Sequence, residues 1–147
     1  MNVVGAWSSE TATDFLTAKT IPIRLATSTP RGGLWMVSLW YQYADGRFEC
    51  ATSASADLVT FLEGDERVAF EVSTNKPPYM GVRGAGTATV EPDPERAVLR
   101  SLLERYLGGT ESDLAQTLLD KRREEVRIAI EPERLSTWDF TERMKDS

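Results

Sequence analysis

The stretch Ile23-Arg24-Leu25-Ala26-Thr27-Ser28-Thr29-Pro30-Arg31-Gly32-Gly33-Leu34-Trp35-Met36-Val37-Ser38-Leu39-Trp40-Tyr41-Gln42-Tyr43 decides the fold. Ile23, Leu25 and Thr27 alternate with Arg24, Ala26 and Ser28, the period of two that marks a strand. Pro30-Arg31-Gly32-Gly33 supplies turn chemistry, and a long second strand is predicted from Leu34 to Tyr43. Its Trp35, Val37, Leu39, Tyr41 and Tyr43 form a uniformly apolar face that belongs in a core. Leu34, Met36, Ser38, Trp40 and Gln42 form a mixed face too apolar for open water. A helix, or else a partner subunit or cofactor, is expected to cover it. Asp45-Gly46 is a hairpin signal that returns the chain as a third strand, Arg47 to Ala51.

Working outward, Ser9 to Thr17 reads as a short helix with Thr11 and Thr13 as candidate caps and Phe15-Leu16 as its anchor. Beyond Ser53 the period becomes helical, with Leu58, Phe61 and Leu62 on one side and Gly64 as the stop. Arg67 to Ser73 alternates again, with Val68, Phe70 and Val72 inward. A strand from Tyr79 to about Val90 contains Gly81, Gly84 and Gly86, which mark a bulge or a close approach of backbone or ligand. Asp93-Pro94 opens a helix through Ala97, Val98, Leu102 and Tyr106, ended by Gly108-Gly109. Thr110-Glu111-Ser112-Asp113 resembles a capping box ahead of Leu114, Leu118 and Leu119. Val126 to Ile130 and Leu135 to Phe140 read as two closing strands separated by Glu131-Pro132-Glu133. Strands joined by short turns, without regular βαβ alternation, favour an antiparallel α+β sheet or barrel.

At 147 residues the chain fits one domain, 1–147 with its core at about 9–140, since compact domains hold ~100–200 residues. Cys50 is the single cysteine, so an intrachain disulfide and a cysteine-based zinc site are excluded. There is no histidine, which removes Ser-His-Asp hydrolases, Cys-His proteases, His-ligated haem and nearly every catalytic zinc site. Seventeen basic against 23 acidic residues give a formal charge of −6, the opposite of a phosphate-backbone footprint, so no nucleic-acid partner is expected. No apolar run approaches ~18 residues, and Met1 to Gly5 lacks the features of a secretory signal, so a cytoplasmic protein without a membrane partner is expected.

No residue set forms a standalone catalytic motif, and no spacing suits a metal. Gly81, Gly84 and Gly86 lie inside a strand, unlike a dinucleotide fingerprint, which links strand to helix. Glu124-Glu125 and the Glu131/Glu133 pair read as solvated surface charge. Thr52-Ser53-Ala54-Ser55 stands where a strand hands over to a helix. There the unpaired N–H groups and hydroxyls suit a phosphate, and the alternative is that Ser53 or Ser55 caps the helix.

The ordered set Ile23-Arg24-Leu25-Ala26-Thr27, the Trp40-bearing strand, Phe48 to Ser55 and Asp65-Glu66-Arg67-Val68-Ala69-Phe70 resembles the pyridoxamine 5′-phosphate oxidase-like flavin-binding split barrels. Pro77-Pro78-Tyr79-Met80-Gly81-Val82-Arg83-Gly84 and the tail from Ile130-Glu131-Pro132-Glu133-Arg134 to Trp138-Asp139-Phe140 extend the resemblance over roughly Ser9 to Phe140. It implies a six-stranded antiparallel split β-barrel with short flanking helices, dimerising around two flavin clefts. By that resemblance Arg24, Thr52, Ser53 and Ser55 are cofactor-facing, and Trp40 and Arg83 border the cleft. Trp138 is either a second-subunit contribution or a core residue.

The sequence departs from the family at Ala56-Asp57-Leu58, where many relatives carry Arg or Lys for the flavin phosphate; Asp57 repels one. The resemblance therefore implies an oxidoreductase using FMN or, second, the deazaflavin F-420, on an unidentified small molecule. The alternative is a non-catalytic split-barrel protein that binds another small ligand and has lost its flavin. No catalytic residue is assigned; water or Tyr79 are the candidate proton sources.

Overall fold

The computed structural model describes residues 2–120 and 123–145. Among these, eight strands form one sheet and four α-helices flank it. Helix α1 (Ser9–Ala18) buries Ala12, Phe15 and Leu16, and its cap is Ser8, whose hydroxyl accepts from the Thr11 amide, in place of Thr11 or Thr13. The predicted hairpin pairs β2 (Ile23–Ser28) with β3 (Leu34–Leu39), from Ile23 opposite Leu39 to Ser28 opposite Leu34. Gly32 takes a φ of 81° in the turn, a conformation glycine adopts without steric cost. The long strand read from Leu34 to Tyr43 is broken: β4 (Gln42–Ala44) is a separate edge strand. At the break the Tyr41 amide donates to the Tyr106 hydroxyl, and the Tyr41 hydroxyl donates to the Leu16 carbonyl at 2.8 Å. Asp45 and Gly46, both at positive φ, then turn the chain into β5 (Arg47–Ser53), as a two-residue hairpin of this sequence requires.

Helix α2 (Asp57–Gly64) leads to β6 (Arg67–Ser73) and the 13-residue β7 (Met80–Pro92). The Asp93 carboxylate accepts from the Val98 and Leu99 amides and so caps α3 (Ala97–Leu107) across a short 3₁₀ turn. Gly108, at φ 76°, closes that helix. Helix α4 (Asp113–Leu118) is capped by Ser112, so Thr110 is not the cap residue. The two closing strands read from the sequence are one, β8 (Glu125–Asp139), because Glu131-Pro132-Glu133 forms a bulge within a continuous ladder.

The strand order is β3-β2-β6-β7-β8-β5-β4, and the short β1 (Asn2–Gly5) lies parallel to the far half of β8. Eight strands therefore replace the expected six: β1 is added, and the Trp40–Tyr41 break divides one strand into two. The ladder is not closed into a barrel, because β3 and β4, consecutive in the chain, form its two opposite edges. The curved sheet wraps a core that includes Tyr41, Phe48, Cys50, Phe70 and Ile130. Burying one such large side chain fully is worth about 1.5–3 kcal/mol. The inward positions of the opening hairpin fall as its alternation predicts: Ile23 and Leu25 are fully buried and Trp35, Val37 and Leu39 pack against the same core.

Candidate functional site

The outer side of β3, β2, β6, β7 and the far half of β8 carries a cleft of about 660 Å³. Strand register builds it. Ala26 lies opposite both Met36 and Ala69, Ala69 opposite Ala85, and Ala85 opposite Arg134. Three alanines abreast leave a flat apolar floor between the Met36 side chain and the Arg134 guanidinium. One step along the strands, Arg24 lies opposite Glu71, Glu71 opposite Arg83, and Arg83 opposite Ser136, giving a parallel polar row. Directly opposed side chains have Cβ atoms about 4.5–5.5 Å apart, so the row is continuous.

The glycines of β7 explain why the sheet can be this tight behind the floor. A Cβ on Gly84 would stand 2.5 Å from the Arg134 carbonyl oxygen and 2.9 Å from the Phe70 ring, and one on Gly86 2.1 Å from the Glu131 carbonyl oxygen. The expected close approach is therefore one of backbone to backbone. The register shift at Ala85/Gly86 makes Glu133 the bulged residue and brings both Glu133 and Arg134 to the cleft, which a regular strand cannot do with neighbours in sequence.

The electrostatics of this face differ from those of its neighbour. On the outer side of β5 and the near halves of β7 and β8, Arg47 pairs with Glu49 and Glu131, and Arg127 with Glu49 and Glu91. Those charges are mutually neutralised, as suits a solvated surface. In the cleft, Arg24 donates to the Pro22 carbonyl at 3.2 Å and the Asn75 side-chain oxygen at 3.5 Å, both uncharged. The Arg83 guanidinium lies 4.7 Å from the Trp138 ring centre, a cation–π contact. Glu71 accepts from the Ser73 hydroxyl at 2.8 Å. Among the described residues neither arginine forms an ion pair with it.

Of the residues singled out in the sequence, Arg24 and Arg83 share this cleft. Trp40 does not: it stacks on Tyr106 at 5.1 Å with the rings 11° apart and packs against Leu99, Leu103 and Ala115 under α3 and α4. A helix thus covers that part of the mixed face, whereas Leu34 and Met36 stay 87% and 63% exposed. Thr52, Ser53 and Ser55 lie at the end of β5, outside the cleft lining. The Ser53 and Ser55 hydroxyls bond to each other at 2.9 Å, and the cap position of α2 is Ala56 with no side-chain cap bond, so neither serine caps it. Asp57 occupies its first turn. Glu71, Glu133, Arg134 and the alanine floor escape sequence reading, because the only signal is small or charged residues at outward positions of separate strands.

No protein-family model and no curated protein matches the chain. Solved structures do. A conserved hypothetical protein from Mycobacterium tuberculosis is similar at 26% identity, over 97% of this chain and 91% of that one, with a TM-score of 0.79. An F-420 reductase is similar at 22% identity, over 84% and 94%, with a TM-score of 0.64. A FAD-binding protein from Mesorhizobium loti is similar at 21% identity, over 88% and 92%, with a TM-score of 0.65. At the level of fold, these likenesses agree with the resemblance to flavin-binding split barrels. Among the described residues no helix is long and apolar enough to cross a membrane.

Proposed function

We propose that the cleft holds a flavin-type cofactor, FMN or the deazaflavin F-420, in a homodimeric oxidoreductase acting on a small molecule. The observation that carries this reading is the flat Ala26–Ala69–Ala85 floor beside Arg24 and Arg83, neither of which is tied up in an ion pair among the described residues. A planar apolar ring fits such a floor, and an anionic tail fits the row of guanidiniums, whose charge-assisted hydrogen bonds suit phosphate. The names of the F-420 reductase and the FAD-binding protein support the same cofactor class. Such a cofactor supplies the hydride chemistry when bound, and the protein positions and tunes it, which suits a chain without histidine. Arg24 and Arg83 bind and orient the anionic end. The alanine floor and Met36 keep water from one face of the ring. Thr52, Ser53 and Ser55 are proposed as further cofactor contacts at the β5–α2 turn, and Trp40 as the residue that fixes the adjoining strand end against α3.

A second reading, a split-barrel protein that binds a small ligand without catalysis, is favoured by Asp57 at the start of α2, where it opposes a phosphate. Absorption spectra and fluorescence titrations with FMN and F-420 separate the two. Arg83→Ala is expected to weaken binding at least tenfold, since a charge-assisted contact is worth about 1.5–3 kcal/mol. Asp57→Lys tightens FMN about tenfold at low salt if the phosphate lies at that turn. Absence of binding by either cofactor to the wild-type protein overturns the oxidoreductase reading.

A further inference from the structure

The Arg24–Glu71–Arg83 row places a carboxylate between two cations with which, among the described residues, it forms no ion pair. An ordinary structural cross-strand triad would close into ion pairs. Here the Glu71 carboxylate is held by the Ser73 hydroxyl, Arg24 by Pro22 and Asn75, and Arg83 by the Trp138 ring. All three groups of the row line the cleft. A ligand anion entering there meets two guanidiniums and one carboxylate at neighbouring positions. Its first negative charge is attracted. A second charge on the same phosphate gains less, because it is repelled by Glu71 at close range in a partly desolvated site.

We infer that Glu71 is a specificity-determining residue that lowers the preference the two guanidiniums would otherwise give a doubly charged phosphate monoester over a singly charged phosphodiester, so that the cleft accepts the diester. The inference deepens the flavin reading and rests on it for the ring. Its charge logic concerns the anionic end alone. Glu133, the other carboxylate of the cleft, sits on the bulge beside Arg134 at the end of the alanine row, one step removed from Arg83, and so serves as the control. Removing a like charge from beside the phosphate is expected to be worth about tenfold in relative affinity.

The test compares FMN with its methyl phosphate ester, which has the same ring and one charge fewer, by fluorescence titration at low salt. The wild-type protein is expected to bind the ester within a few-fold of FMN. Glu71→Gln is expected to shift the ratio about tenfold toward FMN, Glu71→Asp to retain the wild-type ratio, and Glu133→Gln to shift it far less. The shift shrinks as salt rises. If both flavins bind and Glu71→Gln leaves the ratio unchanged, or Glu133→Gln moves it equally, the inference falls while the flavin reading stands. If neither flavin binds, the flavin reading fails, and phenyl phosphate against its methyl ester, followed by thermal shift at millimolar concentration, reads the same ratio. A ratio that shifts with Glu71→Gln there upholds the inference; an unchanged ratio, or no binding, overturns it.

Discussion

Single residues tie together parts of the chain that lie far apart in sequence. Arg105 of α3 donates to the Thr17 carbonyl at 2.8 Å, to the Leu16 carbonyl at 2.9 Å and to the Lys19 carbonyl, and lies over the Tyr41 ring. These are the carbonyls that the end of α1 leaves unpaired, and a cation there also meets the negative end of the helix dipole. Arg105→Ala is expected to cost about 2 kcal/mol in urea unfolding, and Arg105→Lys not to restore it, because a point ammonium cannot reproduce the planar fork. Burial pushes the Tyr41 hydroxyl well above the ordinary tyrosine range, so it remains a donor to the Leu16 carbonyl. Hydrogen bonds from Thr141 and then the Trp7 indole hold the Asp139 carboxyl below its usual value. A lowered pKa means the folded state favours the ionised form. Its contribution is therefore complete above the ordinary aspartate pKa near ~3.9 and is lost as pH falls below it. Asp139→Asn should flatten the fall in urea midpoint below about pH 4; an unchanged acid limb refutes this.

At the scale of elements, β7 and β8 carry the architecture, and their contact has little slack. Gly84 faces the Phe70 ring and the Arg134 carbonyl from within the sheet, so Gly84→Val acts on the fold first. Overpacking of this kind costs about 1–3 kcal/mol, and thermal denaturation is expected to show it even where the cleft residues are intact. The Trp40–Tyr41 break is the second determinant at this scale. Tyr41 is fully buried with its amide on Tyr106, and the chain therefore leaves one edge of the sheet as β3 and enters the opposite edge as β4.

For the whole molecule, the two outer faces differ in kind. One is laced with ion pairs, and the other presents Leu34, Met36 and the alanine floor to solvent. The second face is the one expected to meet another copy of the chain. Met36→Asp is expected to shift light scattering at micromolar concentration from dimer toward monomer, whereas a wild-type monomer refutes the assembly. A central anchor at such an interface is worth ~2 kcal/mol or more. Trp40, in contrast, is packed against Tyr106, so Trp40→Ala should loosen α3 without itself removing the dimer contact.

The sequence by itself determined the alternation of the opening hairpin, the Asp45-Gly46 turn, the helix closed by Gly108 and the inward face of Val68, Phe70 and Val72. These follow from local rules, since a strand's own alternation tells which of its residues share a face, and a turn's φ values choose its residues. Arg24 and Arg83 were set beside a cleft by the family resemblance alone, not by a local pattern. Tertiary structure alone decided which residues stand opposite one another. No pattern within β2, β6 or β7 states that Ala26, Ala69 and Ala85 are abreast, or that Glu71 falls between the two arginines. Pairing also turned Glu131-Pro132-Glu133 from an apparent linker into a bulge, since a ladder can absorb one extra residue without ending. Trp40 was legible as covered but not by what. Which element covers an apolar side chain depends on where a helix distant in sequence comes to rest, and that is fixed by packing of the whole chain.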